Sequence, residues 1–310
     1  MSFKRFLGAA GILFAVLHFS CGKEKAGHSD AMDHTSDEWS YAGETSPEHW
    51  AELEKNSDCL GKRQSPVNII DLNVVEKGGD TAHNTLFYSP QTILTKVRNN
   101  GHTIQFDFDR GDSICSRDVH YDLVQIHFHT PSEHTVNGIR YPIETHLVHQ
   151  SKEKDRFMVL AIFGIEGRES ETLERLESFL PLKEGEEKVI NKALDLTTIF
   201  PKNKDYYSYS GSLTTPPCTE NVDWIIFKEP SILSLEEVIR MRDNMPLRRF
   251  RREEDVTDRV VYLERSPGGV PGTWPGFGGD RGWGLGVCGW CVRSSEAGRV
   301  GGAWGCRWGG

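Results

Sequence analysis

Two stretches alternate apolar with polar residues, HTIQFDFD (102–109) and DLVQIHFH (122–129), as strands half-buried on a sheet do. Around them lie further runs rich in β-branched and aromatic residues: ILTKVRN, YDLVQIHFH, THLVHQ, FMVLAIFGI and VDWIIFK. Turn residues separate most of these runs, so each reads as a strand. Helical spacing is rarer. SETLERLESFL (170–180) has an apolar face with Ser170 as its cap, and SLEEVIRMRD (234–243) places Ser234 three residues before Glu237, a capping-box pattern. The pattern predicts a mainly β domain over 37–264 with short helices at its periphery.

The two ends break this pattern. At the N-terminus Lys4 and Arg5 precede an apolar run from Phe6 to Leu17, then the small residues Ser20 and Cys21. That layout predicts an export signal over 1–21. It resembles a bacterial lipoprotein signal, with Cys21 as the lipidated residue and thus a means of membrane attachment. The run is too short to span a bilayer comfortably. Residues 22–36 are polar and without period, and read as a flexible linker. The expected location is the periplasm or cell envelope, where paired thiols tend to oxidise. After Glu264 the chain holds 16 of its 31 glycines and 5 of its 8 tryptophans, with no hydrophobic period. Residues 265–310 therefore read as a disordered tail or the product of a shifted reading frame. A formal charge of −9 argues against nucleic acid as a partner.

The chemistry concentrates in QIHFHTPSEH (125–134) and ETHLVH (144–149). Residues two apart on a strand share a face, so His127 and His129 can share a metal ion, with Gln125 one step earlier on that face. A third ligand must come from another strand. His134, His146, His149 and His120 are all candidates; His146 and His149 have opposite parity, so only one of the two faces the site. Neutral imidazoles without a thiolate favour zinc over calcium or magnesium. Three of them leave one coordination position open, the arrangement that acidifies a bound water.

RQSPVNI, NNGH, QIHFHTPSEHTVNG, YPIETHLVH, GSLTTPPC and VDWIIF, in this order over residues 39 to 245, resemble the α-class carbonic anhydrases. The short HTPSEH connection is similar to that of the bacterial, exported members. The resemblance implies one zinc ion on His127, His129 and His146, oriented by Gln125 and Glu144. It implies reversible hydration of carbon dioxide to bicarbonate and a proton by a zinc-bound hydroxide. Thr214 matches the threonine whose oxygen accepts a hydrogen bond from this hydroxide, and Glu133 its carboxylate partner. An ionised carboxylate only accepts hydrogen bonds, so Glu133 would force the Thr214 hydroxyl to donate to it. Val148, Val159, Leu213, Thr215, Val222 and Trp224 match the substrate pocket, an apolar wall suited to a molecule with little to hydrogen-bond. His102 matches the proton shuttle, with Tyr41, Asn100 and Gln105 around its waters; Gln105 stands where the best-known enzymes have asparagine. Cys59 and Cys218 match a disulfide of the exported members. One stretch departs: LRRFRREEDVTDRVVYLE keeps only a trace of the family's late Arg-Pro segment, which puts the last strands in question.

The resemblance implies a large, mostly antiparallel twisted sheet with the zinc on its face; the protein is expected to be a monomer or homodimer. A rival reading is a carbonic-anhydrase-like protein without catalysis, serving as a zinc-binding or surface-adhesion protein. A zinc peptidase would want HExxH, which is missing.

Overall fold

The computed structural model describes residues 38–54, 56–77, 84–245 and 250–265, all within one compact unit. The expected export signal, linker and tail lie outside the described residues, apart from Arg265.

Ten strands form a continuous sheet. In chain order they are β1 (Val75–Lys77), β2 (Thr92–Asn99), β3 (Ile104–Phe108), β4 (Val119–His129), β5 (Ile143–Ser151), β6 (Phe157–Glu166), β7 (Glu187–Leu194), β8 (Tyr206–Gly211), β9 (Val222–Phe227) and β10 (Tyr262–Glu264). Across the sheet they run β7-β2-β3-β4-β5-β6-β9-β8-β10-β1. Among these ten only β6–β9 and β10–β1 pair in parallel, so the sheet is mostly antiparallel, as the resemblance implies. Three further short strands attach beside this path.

The centre of the sheet is buried on both faces, which explains why FMVLAIFGI is a continuous apolar run while HTIQFDFD alternates. One core, containing Phe106, Ile126, Phe128, Leu160 and Ile162, lies on one face. The other face carries Val148, Val159, Phe163, Tyr209, Val222 and Trp224. The edge strand β7, EKVINKAL, is exposed and irregular in register between Val189 and Lys192; its polar composition gives no strand signal in the sequence.

Two helices close the first core: α1 (Glu171–Glu177), capped by Ser170, and α2 (Leu235–Asp243), whose Ser234 and Glu237 form the capping box. Glu237 does more than the motif implies. Its buried carboxylate accepts the Ser234 N–H at 2.7 Å and the Ser170 N–H at 3.0 Å, joining the starts of both helices. A disulfide links Cys59 to Cys218, tying the N-terminal region to the 212–219 loop.

The segment 250–264 does enter the fold despite its departure from the expected pattern. The Arg251 guanidinium is buried and spends its donors on Gln64 Oε1 at 2.8 Å, the Ser65 carbonyl at 3.0 Å and the Cys59 carbonyl at 3.3 Å. β10 then takes its place between β8 and β1. What ties this segment to the fold is thus the Arg251 side chain's set of acceptors, which sequence pattern does not display.

Candidate metal centre

The centre is built from the pairing of β4 with β5. His146 stands opposite His127, and Glu144 opposite His129. Alternation then puts Gln125, His127, His129, Glu144 and His146 on one face. The three imidazole rings lie with centroids 4.7–5.0 Å apart, and one nitrogen of each falls within 4.8 Å of the others. The other candidates are elsewhere. His120 pairs with Asp122 on the exposed side, while His149 points to the opposite face, its Nε2 2.7 Å from the Tyr88 hydroxyl.

Neighbouring groups fix which nitrogens face inward. Gln125 Oε1 is 2.8 Å from His127 Nδ1, and an amide oxygen only accepts, so that nitrogen carries the proton. Glu144 Oε1 is 2.8 Å from His146 Nε2, which fixes the opposite tautomer there. The remaining nitrogens, His127 Nε2 and His146 Nδ1, then face each other as two lone pairs only 3.2 Å apart. Two acceptors that close repel unless a cation, a metal ion or a proton, lies with them. Burial, followed by the neighbouring His129 and His146, pushes His127 well below the ordinary imidazole range, so it is a neutral donor.

Glu144 is fully buried and fully occupied. It also accepts the backbone N–H groups of Glu133 (2.8 Å) and His134 (2.9 Å), and His134 Nδ1 lies 2.7 Å away. Burial pushes its pKa up, but the imidazoles of His134 and His146 and their hydrogen bonds hold it well below the usual carboxylate range. His134 continues through Nε2 to the Tyr209 hydroxyl at 2.7 Å, which donates to Ser65 Oγ at 2.8 Å. This train of His134, Tyr209 and Ser65 was not legible from spacing, because His134 sits in a turn and Tyr209 is 75 residues away. The need of a buried carboxylate for donors was its only sequence signal.

Glu133 is wholly buried. Its Oε1 accepts the backbone N–H of Arg251 at 2.9 Å, and its Oε2 has no hydrogen bond. Thr214 is buried on the disulfide-tied loop, and its hydroxyl makes no hydrogen bond to Glu133 in this structure. Val148, Val159, Val222 and Trp224 belong to one buried cluster, with Leu213 packed on it and Thr215 half-exposed. The Trp224 ring is 5.0 Å from that of His146, so this apolar wall abuts the imidazoles.

The match to known sequences decides the family. The sequence model described as eukaryotic-type carbonic anhydrase covers residues 45–264. This chain belongs to the carbonic anhydrase family. Its activity is the reversible hydration of carbon dioxide to bicarbonate and a proton. The carbonic anhydrase of Neisseria gonorrhoeae is 36% identical over 219 residues, spanning 70% of this chain and 82% of that one. That of Klebsiella pneumoniae is 37% identical over 227 residues, 72% and 89% of the two chains. The α-carbonic anhydrase of Thermovibrio ammonificans, solved with the inhibitor sulfanilamide, superposes with a TM-score of 0.68 at 37% identity, covering 73% and 98%. Dioscorin complexed with ascorbate also aligns, at 30% identity and a TM-score of 0.66, covering 74% and 98%.

In this carbonic anhydrase His102 sits on a tight turn. Asn100 Oδ1 accepts the N–H groups of His102 (2.9 Å) and Thr103 (2.8 Å), and Gly101 supplies a φ of +83°. The His102 ring stacks on Trp39 at 3.6 Å, with Nε2 3.7 Å from Glu38. Tyr41 packs edge-on against Trp39 and Trp50. Gln105 stands opposite His127 across β3 and β4 but gives its amide to Asp107 at 2.6 Å.

Proposed function

We propose that this carbonic anhydrase holds one zinc ion on His127 Nε2, His146 Nδ1 and the imidazole of His129. The observation that carries this reading is the pair of facing lone pairs, left over after Gln125 and Glu144 have taken the other nitrogens. Zinc held there supplies a Lewis acid with one open position, at which water loses its proton near neutral pH. Gln125 and Glu144 keep the rings in the donating tautomer and orientation.

Glu133 keeps Oε2 for Thr214, because its other oxygen is already taken by Arg251. A Thr214 hydroxyl that donates to Glu133 leaves its own oxygen to accept a hydrogen bond from the attacking oxygen. That contact aims a lone pair at the carbon of carbon dioxide, which rests against Val148, Val159, Leu213, Thr215, Val222 and Trp224. His102 carries the released proton outward from its turn, with Tyr41, Asn100 and Gln105 along the wet side. The protein works outside the cytoplasm, in the periplasm or cell envelope, and Cys21 anchors it there through lipid.

Dioscorin's place on the same fold favours a second reading, in which the site binds without turning over. Stopped-flow carbon dioxide hydration on the purified full chain separates the two. Activity that disappears with a zinc chelator and returns with one equivalent of zinc is expected. A folded, zinc-loaded sample without chelator-sensitive activity would sink the catalytic reading.

A further inference from the structure

The strand β3 flanks the metal-bearing pair and turns a polar stripe towards it. Gln105 stands opposite His127, and Asp107 opposite Gln125. Residues opposite each other in a ladder share a face, so both belong to the imidazole face of the sheet. Ile104, Phe106 and Phe108 alternate with them and are buried in the core on the reverse. The polar side of HTIQFDFD thus lies beside the metal centre.

One side chain of this stripe decides the sense of the other. An amide can be turned to offer its oxygen or its nitrogen, and its neighbours choose between them. Gln105 Nε2 donates to Asp107 Oδ1 at 2.6 Å. The same carboxylate oxygen accepts from Arg98 Nη2 at 3.3 Å. Lys96, opposite Asp107 on β2, is committed to Glu187 at 2.8 Å. A carboxylate only accepts, so Asp107 draws the nitrogen of Gln105 and leaves Oε1 as the end without a partner. That oxygen makes no hydrogen bond among the described residues and stays open to solvent.

We propose that Asp107 is a positioning residue for proton export: it holds the Gln105 amide so that the path from the metal to His102 meets an acceptor here and no donor. This rests on the proton path proposed above. A water that relays a proton must keep a lone pair free to receive it. An amide N–H₂ beside the path fills that lone pair. A carbonyl oxygen takes one of the water's own hydrogens and leaves the lone pair open. Asp107 makes no hydrogen bond to the three imidazoles, so its effect falls on proton export and not on attack at carbon.

Stopped-flow hydration by the zinc-loaded full chain separates the two steps. The ratio kcat/KM reads attack on carbon dioxide, and kcat at low buffer reads proton export. Asp107→Asn can donate as well as accept, and so releases the Gln105 amide. Its kcat at low buffer should fall about fivefold, the net worth of one hydrogen bond, with kcat/KM and zinc content unchanged. Added imidazole, which carries protons itself, should restore kcat. Asp107→Glu keeps a carboxylate and should keep most of kcat. In a Gln105→Leu background Asp107→Asn should change nothing further, because the two residues act as one. Unchanged kcat in Asp107→Asn, a fall in kcat/KM or zinc content, a loss that imidazole does not rescue, or additive effects of the two substitutions would each overturn the proposal. His102→Ala reports on the path itself. If it leaves kcat at low buffer unchanged, the path fails and the proposal falls with it; if it lowers kcat and Asp107→Asn does not, the proposal alone fails.

Discussion

Two buried carboxylates show how environment sets the job of a chemically identical group. Glu133 has one oxygen committed to Arg251, and the other, without a hydrogen bond, lies 3.4 Å from His129 Nε2. Glu133→Gln replaces an obligate acceptor by a group that can donate, so Thr214 loses its direction. We expect kcat to fall by about 10²-fold, the scale of removing one preorganised hydrogen bond in an active site, with zinc content unchanged. An unaltered kcat in a zinc-replete variant would refute the directional role. Asp112 is the opposite case. It accepts from Ser89 N–H and the Thr92 hydroxyl, yet burial outweighs both and raises its pKa to about 6. The native state therefore holds this proton more tightly than the unfolded chain. The stability from Asp112 is complete below pH 4 and is lost as pH rises through about 6. Between pH 4 and 7 the advantage of Asp112→Asn over the wild type should grow by about 3 kcal/mol, from two pKa units at 1.36 kcal/mol each. A difference in denaturation free energy that stays flat with pH would contradict this. At this scale the sequence was half legible. Parity placed His127 and His129 together and limited His146 and His149 to one of the two. It left the third ligand open, because which strands pair is a property of register, and only the resemblance chose His146.

Elements were legible where burial is lopsided or caps are explicit. The interior strands announce themselves because β-branched and aromatic runs have no other comfortable home. Both main helices begin at the serines that the capping patterns mark. The strands β7, β8, β1 and β10 went unread: β7 is an exposed edge, β1 and β10 are three residues long, and YYSYSG mixes buried tyrosines with serines. Three of them, β8, β10 and β1, complete one side of the sheet and β7 is the opposite edge, so their absence from the reading shortened it without altering its class. Glu237 carries a consequence for both helices at once. Glu237→Ala removes acceptors for the Ser234 and Ser170 N–H groups, each left buried or half-buried. The expected loss is about 2–3 kcal/mol, above the roughly 1 kcal/mol of an ordinary cap. Urea denaturation measures it, and a loss no larger than that of Ser234→Ala would show that the link between the helices contributes nothing.

For the molecule as a whole, the family match and the strand β10 both end at Glu264. A chain of residues 37–264 should therefore bind one zinc and hydrate carbon dioxide at the rate of 37–310; a drop in either would assign the tail a part in the fold. Reducing the Cys59–Cys218 bridge should lower thermal stability, by about 2–5 kcal/mol for a bridge that closes so long a loop. Calorimetry with and without reductant reads this. The least legible part at this scale was 250–264, where a weak sequence match hid an arginine held by acceptors from three different residues near the N-terminus. That arginine has a consequence in time. The N–H that steadies Glu133 belongs to a residue 118 positions later. Synthesis runs from the N-terminus, so β4, β5 and their three histidines are made before Arg251. If the proposed zinc site is right, a nascent chain stalled short of Arg251 would carry every zinc-binding histidine but lack the N–H that holds Glu133.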